Sequence, residues 1–300
     1  MILVTGGAGF IGSHVVDLLV ENHYNVTVLD NLTTGSIENL NKKARFIKGD
    51  VRDENLDFRD IEGVIHLGAQ VNVRTSLERP LYDCDVNVLG TLNILETMRR
   101  YDVEKIVFAS SVAVYGDPQY LPVDEEHPKK PLSPYGLSKY CSERYIELYR
   151  DLYGIDYTIL RYSNVYGERQ DPRGEAGVVS IFIESMLRGK TPTIYGDGYQ
   201  TRDFVYVGDV ARGTLMALNW KNKVVNIGTG RETTINHLYS VIADILNFKE
   251  RPLYADPREG EIYRMVVSID RALDLQWRPT VDLREGIRRT VDWMKRYLKI

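Results

Sequence analysis

Thr5-Gly6-Gly7-Ala8-Gly9-Phe10-Ile11-Gly12 is the stretch on which the fold turns. Before it stands Ile2-Leu3-Val4-Thr5, short and apolar enough for a buried strand. After it Phe10, Ile11, His14, Val15, Leu18 and Leu19 follow helical spacing. Strand, glycine turn and helix in that order give the glycines their meaning. Glycine permits the tight turn and lets the main chain approach a pyrophosphate, which then rests on the amino end of the helix. The next apolar run, Val26-Thr27-Val28-Leu29, ends at Asp30. An acid about 20 residues past the glycines is where a ribose-binding carboxylate belongs. It can accept from both ribose hydroxyls and repels a 2′-phosphate, and Asn31 and Leu32 follow it rather than an arginine. The pattern therefore predicts NAD rather than NADP.

Four more strands are legible beyond it. Arg45-Phe46-Ile47-Lys48 leads to Asp50-Val51, a polar and an apolar residue suited to the edge and face of an adenine. Val64-Ile65-His66-Leu67 leads to Gly68-Ala69-Gln70, small residues beside which a cofactor can lie close to the backbone. Residues 81–100 read as a helix carrying Asn87. A fifth strand over 105–109 ends at Ser110-Ser111, and a sixth over 157–162 ends near Ser163-Asn164. Strands alternating with helices predict an α/β fold, a doubly wound parallel Rossmann sheet, with ligands at the carboxyl ends of its strands. Asp30, Asp50, Ala69 and Ser111 all fall there.

Residues 166–176 are rich in Gly, Pro and charge, and the alternation stops. We expect an NAD-binding domain over 1–165, joined by parts of 203–230, and a smaller C-terminal α/β lobe over 166–300. Helices are predicted over 178–188, 210–220, 235–246 and 283–298, and strands over 193–195 and 224–227. Arg202 and Arg258 are candidate phosphate clamps, since a guanidinium meets phosphate with two prongs. A solvated surface arginine would look the same.

The totals are ordinary for a soluble globular protein: 300 residues, 43% hydrophobic and 27% charged. A net charge of -4 and the lack of a long basic run argue against nucleic-acid binding. Two cysteines make no disulfide framework and suggest a reducing compartment. The five histidines are scattered, so no metal is expected. The apolar Met1–Thr5 run is too short for a signal peptide and no stretch is long enough to span a bilayer, so a cytoplasmic location, away from membranes, is expected.

Ser133-Pro134-Tyr135-Gly136-Leu137-Ser138-Lys139 opens another helix, with a proline at its first turn. Tyr135 and Lys139 then share one face at i and i+4. A charge roughly 5 Å away at an effective dielectric near 20 is worth about 3 kcal/mol, or about 2 pKa units on a phenol that starts near 10. The pair is a candidate acid/base. Tyr101 and Lys105 have the same spacing but fall at the amino edge of the sheet.

Taken in order, these stretches resemble the extended short-chain dehydrogenase/reductases, and more narrowly their UDP-glucose 4-epimerase type. Further matching runs are Ser110-Ser111-Val112-Ala113-Val114-Tyr115-Gly116, Leu160-Arg161-Tyr162-Ser163-Asn164, Tyr195-Gly196-Asp197-Gly198, Arg202-Asp203 and Arg258-Glu259-Gly260-Glu261. The resemblance implies that Ser111, Tyr135 and Lys139 are catalytic. It places Gly6, Gly9, Phe10, Ile11 and Gly12 at the NAD pyrophosphate, Asp30 and Asn31 at the adenosine ribose, and Asp50 and Val51 at adenine. Leu67, Gly68, Ala69 and Gln70 would run beside the cofactor with Asn87 behind them, and Tyr162 near the nicotinamide. Asn164, Val179, Tyr195, Arg202, Arg258 and Glu261 would hold a UDP-hexose. It also implies a homodimer paired through helices like 81–100 and 135–152. Val71 departs from members that carry a lysine there.

A related 4,6-dehydratase needs an acid and a base directly after the catalytic hydroxyl residue, and a UDP-glucuronate decarboxylase a glutamate at the second position. Val112 and Ala113 supply neither. C4 epimerisation needs no further group, so the expected activity is the interconversion of UDP-glucose and UDP-galactose through a 4-keto sugar. Epimerases of UDP-N-acetylhexosamines or UDP-uronates are alternatives, and a non-catalytic NAD sensor is the rival from another class. The bulk of Met265 is expected to disfavour a 2-acetamido group.

Overall fold

Strand β1 (Ile2–Thr5) is buried along its whole length, and the chain leaves it at Gly6 with φ of +69°, a left-handed conformation that favours glycine. The computed structural model describes residues 1–172, 177–257 and 262–300. Helix α1 (Phe10–Glu21) follows the glycine turn and leads to β2 (Val26–Asp30), β3 (Arg45–Lys48) and β4 (Gly63–His66). Next come α2 (Val73–Glu78), α3 (Pro80–Cys84), α4 (Gly90–Arg100), β5 (Lys105–Ser111), α5 (Pro134–Tyr153) and β6 (Asp156–Tyr162). The chain continues as β7 (Asn164–Tyr166), α6 (Val178–Leu187), β8 (Thr193–Tyr195), β9 (Thr201–Arg202), β10 (Phe204–Tyr206) and α7 (Val207–Met216). It closes with β11 (Lys223–Ile227), β12 (Thr233–Thr234), α8 (Ile235–Leu246), β13 (Leu253–Ala255), α9 (Asp270–Asp274) and α10 (Leu283–Leu298).

Seven strands form one sheet in the order β11-β6-β5-β4-β1-β2-β3, parallel from β6 to β3. The order reverses between β1 and β4, the switch point at which doubly wound sheets bind ligands. Leu3, Val64, Ile106, Phe108 and Ile159 of the sheet are buried with Ile94, Leu95 and Met98 of α4 and Ile146 of α5.

Two compact units result: Met1–Asp117, Pro128–Tyr162 and Ala211–Val225 in the first, and Pro118–His127, Ser163–Val210 and Asn226–Ile300 in the second. The second is built on short strand pairs, β7 with β10, β9 with β12 and β8 with β13. Its residues 118–127 are held by the bridge of Val123 to Val267 and by Glu125, which accepts from the Asn226 amide at 2.7 Å. Among the described residues no helix is long and apolar enough to cross a membrane.

Two expectations change, and one helix face differs from its apolar spacing. Residues 81–100 are not one regular helix: a π-helical turn, Asp85–Leu89, joins α3 to α4. The wider turn sits at Asn87, a common place for such insertions near functional side chains. The helix expected from 210 starts at Val207, directly after β10, and ends in a tight turn at Ala217–Asn219. In α5 the apolar Tyr145 and Leu148, which helical spacing alone would place on an inward face, are both exposed. The buried face carries Ser138, Lys139, Ser142, Glu143, Ile146 and Tyr149 instead. Polarity is tolerated there because each polar group finds a partner inside the unit.

Candidate active site

The glycine loop packs main chain against main chain. A Cβ on Gly12 would lie 2.1 Å from the Gly6 carbonyl oxygen, and one on Gly6 would lie 2.7 Å from the Gly68 nitrogen. Real Cβ atoms do not approach so closely, so α1 and residues 67–68 can meet the loop only at glycines. The amino end of α1 carries no side-chain cap and no acid in its first turn. Its amides are left to an anion from outside the protein.

Asp30 closes one side. Its Oδ2 accepts from the Ala8 amide at 2.9 Å and its Oδ1 from the Leu32 amide at 2.8 Å. A carboxylate oxygen has two acceptor sites, so each keeps one for a ribose hydroxyl. Asn31 donates to Asp50 Oδ2 at 2.7 Å, and Arg52 grips Asp50 through Nε and Nη2, both at 2.8 Å. The Arg52 bonds hold the Asp50 carboxyl well below the usual carboxylate range. Val51 is buried beside it and would meet a Cβ on Gly68 at 3.0 Å. Phe10 and Ile11 lie half-buried at the start of α1. An anion seat, a paired carboxylate and an apolar wall are the donor set a dinucleotide without a 2′-phosphate requires, and the residues fit it.

Asn87 fixes the segment beside the loop. Its Oδ1 accepts from the Gln70 amide at 2.8 Å, and its Nδ2 donates to the Gln70 carbonyl at 2.9 Å. The same Nδ2 donates to Ser138 Oγ on α5 at 3.0 Å. The Gln70 side chain turns inward to Asp83 at 2.6 Å.

The first turns of α5 meet the chain next to Ser111, at the carboxyl end of β5. Ser133 Oγ accepts from the Gly136 amide at 3.1 Å and starts α5, with Pro134 in its first turn. A Cβ on Gly136 would lie 2.5 Å from the Ala113 carbonyl, two residues after Ser111. One turn on, Lys139 Nζ donates to the Ala109 carbonyl at 2.9 Å, two residues before Ser111. The helix thus meets the chain on both sides of Ser111, at Ala109 on β5 and at Ala113 beyond it, and Tyr135 in its first turn is half-buried. Lys139 is 4% exposed. Burial pushes its ammonium down to about 8, against the opposing charges of Asp83 and Glu143. Lys105 shows the contrast, since it donates to Thr158 at 2.7 Å and to the Trp220 carbonyl at the opposite edge.

Sequence reasoning missed Glu143 and Arg161 as supports of this strand end. Arg161 donates to Glu143 through Nε at 2.9 Å and Nη2 at 2.6 Å, and to Tyr115 through Nη1 at 3.0 Å. Ser110 donates to the same Glu143 at 2.5 Å. The available signal was an acid one turn past Lys139 on a face otherwise read as apolar. Tyr162 is buried and its hydroxyl is shared with Thr214 at 2.7 Å.

The second unit holds the remaining expected residues. Asn164 donates its amide to the Asp203 carbonyl at 3.0 Å, close along the chain to Arg202, whose Nη1 donates to the Thr201 carbonyl at 2.8 Å. Tyr195 is exposed on β8. Val179 is 1% exposed, so it can offer a ligand only its backbone at the uncapped amino end of α6. Met265, expected to disfavour a 2-acetamido group, is 2% exposed. Arg258 and Glu261 lie outside the described residues.

Residues 2–228 match the family described as the NAD dependent epimerase/dehydratase family. The chain belongs to that family. A chain of Methanocaldococcus jannaschii is 64% identical over 300 residues, covering 98% of each. A UDP-glucose 4-epimerase from Thermotoga maritima, solved with UDP-glucose, superposes with a TM-score of 0.97 at 46% identity over 99% of both chains. The UDP-glucose 4-epimerase of Thermus thermophilus, solved with NAD, gives 0.92 at 44% identity over 98% of both. Membership makes NAD the dinucleotide, in agreement with Asp30 and its surroundings.

Proposed function

We propose that the chain interconverts UDP-glucose and UDP-galactose by oxidation and re-reduction at C4 of the sugar. The observation that carries this is the grip of α5 on both sides of Ser111, with Val112 and Ala113 beside it. The constellation can move a proton at a carbinol, and its neighbours offer no acid or base for elimination or decarboxylation. NAD, when bound, supplies the acceptor for the C4 hydride and its return to the opposite face. Tyr135 as phenolate takes the proton from the sugar 4-hydroxyl and later gives it back at the same oxygen. Ser111 hydrogen-bonds that oxygen and holds it in line with Tyr135. The Lys139 ammonium lowers the Tyr135 pKa and holds the nicotinamide ribose. Return of hydride to the other face requires the sugar to turn while its nucleotide stays held, so binding energy belongs on the nucleotide. We assign that holding to Asn164, the α6 backbone at Val179, Tyr195 and Arg202, with Arg258 and Glu261 completing the set. UDP and glucose are chosen because the Thermotoga maritima relative holds UDP-glucose.

We assign a homodimer as the working assembly. Leu81 at 85% exposure, with Leu89 on the same helical run and Tyr145, Leu148 and Leu152 on α5, leaves an apolar face open on the helices expected to pair. Free Cys84 and Cys141 fit a cytoplasmic setting.

The test is conversion of UDP-galactose to UDP-glucose with NAD. Wild type should turn over, and Tyr135→Phe should lose about 10²–10⁴-fold in rate, the usual contribution of a positioned acid/base. An inactive wild type with bound NAD would favour the sensor. A comparable rate on UDP-N-acetylglucosamine would widen the substrate class.

A further inference from the structure

His66 ends β4 and is 1% exposed, yet no step of the proposed reaction uses it. Its two ring nitrogens face two threonines: Nδ1 lies 2.7 Å from Thr5 Oγ1, and Nε2 lies 3.1 Å from Thr91 Oγ1. The hydroxyl partners decide the ring's protonation. Thr5 Oγ1 also accepts from the Leu67 amide at 3.2 Å and the Gly68 amide at 3.0 Å. A hydroxyl has two acceptor sites and one proton. The Leu67 hydrogen is shared between Thr5 Oγ1 and the Thr5 carbonyl, also at 3.2 Å, so the order of the ring is decided at its other nitrogen. Thr91 Oγ1 donates its own proton to the Asn87 carbonyl at 2.6 Å, so it must accept from His66, and Nε2 carries the hydrogen.

The bonds then run one way, from the Leu67 and Gly68 amides through Thr5, His66 and Thr91 to the Asn87 carbonyl. Asn87 carries the order on in two directions. It clamps the Gln70 peptide on both sides, and it donates to Ser138, whose hydroxyl donates to the Tyr135 carbonyl at 3.0 Å. One end of the 67–70 segment is thereby held by Thr5, the partner of the imidazole, and the other by the side chain of Asn87, whose carbonyl ends the same run of bonds.

We propose that His66 is a positioning residue, locked as the neutral Nε2–H tautomer, that sets the backbone of residues 67–70 for NAD and ties it to the first turn of α5. A second proton on Nδ1 would displace the Thr5 hydroxyl proton that points at that nitrogen and compete with the Gly68 amide for Thr5 Oγ1. The groups around the ring give that proton no counter-ion: Thr5 on β1, Thr91 on α4, the Phe108 ring on β5 at 5.7 Å, and the positive Lys139 of α5. Burial, with the Lys139 charge behind it, pushes the imidazole down to about 3.

The proposal rests on the NAD-bed reading only for its binding consequence, so the experiment has two arms. In the first, ¹⁵N-histidine NMR of the wild-type protein follows all five histidines from pH 8 to pH 5. One of them, absent from a His66→Phe sample, should show the Nε2–H form and no titration. An Nδ1–H signal for that histidine, or its titration in that range, overturns the proposal, and if His66→Phe does not fold, titration of all five histidines overturns it equally. In the second, NAD affinity is measured by calorimetry. Thr5→Val, which keeps the shape but loses the hydroxyl, should bind NAD about tenfold or more weakly, the effect of unpairing buried donors, and Thr5→Ser should recover wild-type affinity. Equal affinity in all three sinks the positioning role. Failure of wild type to bind NAD would instead sink the cofactor reading and leave the tautomer result standing.

Discussion

Replacing Lys139 by Met should stabilise the fold at neutral pH while abolishing turnover. The ordinary lysine value is 10.5, and in the folded chain Lys139 is held at about 8. The unfolded chain therefore binds more protons than the folded one between those values, and stability rises with pH across that window. Below pH 8 the burden of the buried ammonium is complete. At 1.36 kcal/mol per pH unit it comes to about 3 kcal/mol. Lys139→Met removes it but leaves the Ala109 carbonyl without its donor, a loss of about 1 kcal/mol. The variant should be about 2 kcal/mol more stable than wild type at pH 7. By pH 10 the wild-type burden has shrunk to about 1 kcal/mol, and the advantage to about zero. Urea denaturation of both proteins at pH 7 and pH 10 measures this. The quantity to read is the change in their difference, because any constant contribution from bound NAD then cancels. A Met variant whose stability relative to wild type does not fall from pH 7 to pH 10 would refute the argument. The expected outcome is a site that trades stability for function, as functional sites often do.

Glu143→Gln should destabilise the first unit by about 3–5 kcal/mol, the usual result of leaving one member of a buried ion pair alone. Denaturation should show that loss, and a double variant with Arg161→Met should recover part of it; a loss under about 1 kcal/mol would mean the pair is not buried in solution. Light scattering should find wild type as a dimer and Leu148→Glu as a monomer, because a charge on that exposed apolar face cannot be desolvated at an interface. A monomeric wild type, or a dimeric variant, would remove α5 from the assembly.

Local rules were enough for much of this molecule. The strand–glycine–helix order at 2–21, the acid at the end of β2 and the strand–helix alternation depend on contacts near in sequence. They predicted the sheet and NAD as written. The tight turn at Gly6 and the proline and serine that open α5 belong to the same class. Periodicity failed where burial was polar. The inward face of α5 carries Lys139, Ser142 and Glu143 because Ala109, Asn87 and Arg161 wait for them, and those partners lie on β5, in the π-helical turn and on β6. No window on α5 contains that information. Likewise nothing near residue 120 announces that Val123 will bridge to Val267, nor anything near residue 265 that Met265 will be enclosed. The sequence by itself determined which chemistry the chain carries: a glycine loop, an acid, a serine, a tyrosine and a lysine. Only the tertiary structure decided which groups hold that chemistry in place, down to the proton on His66, because a hydrogen bond's direction is set by everything its partner already binds.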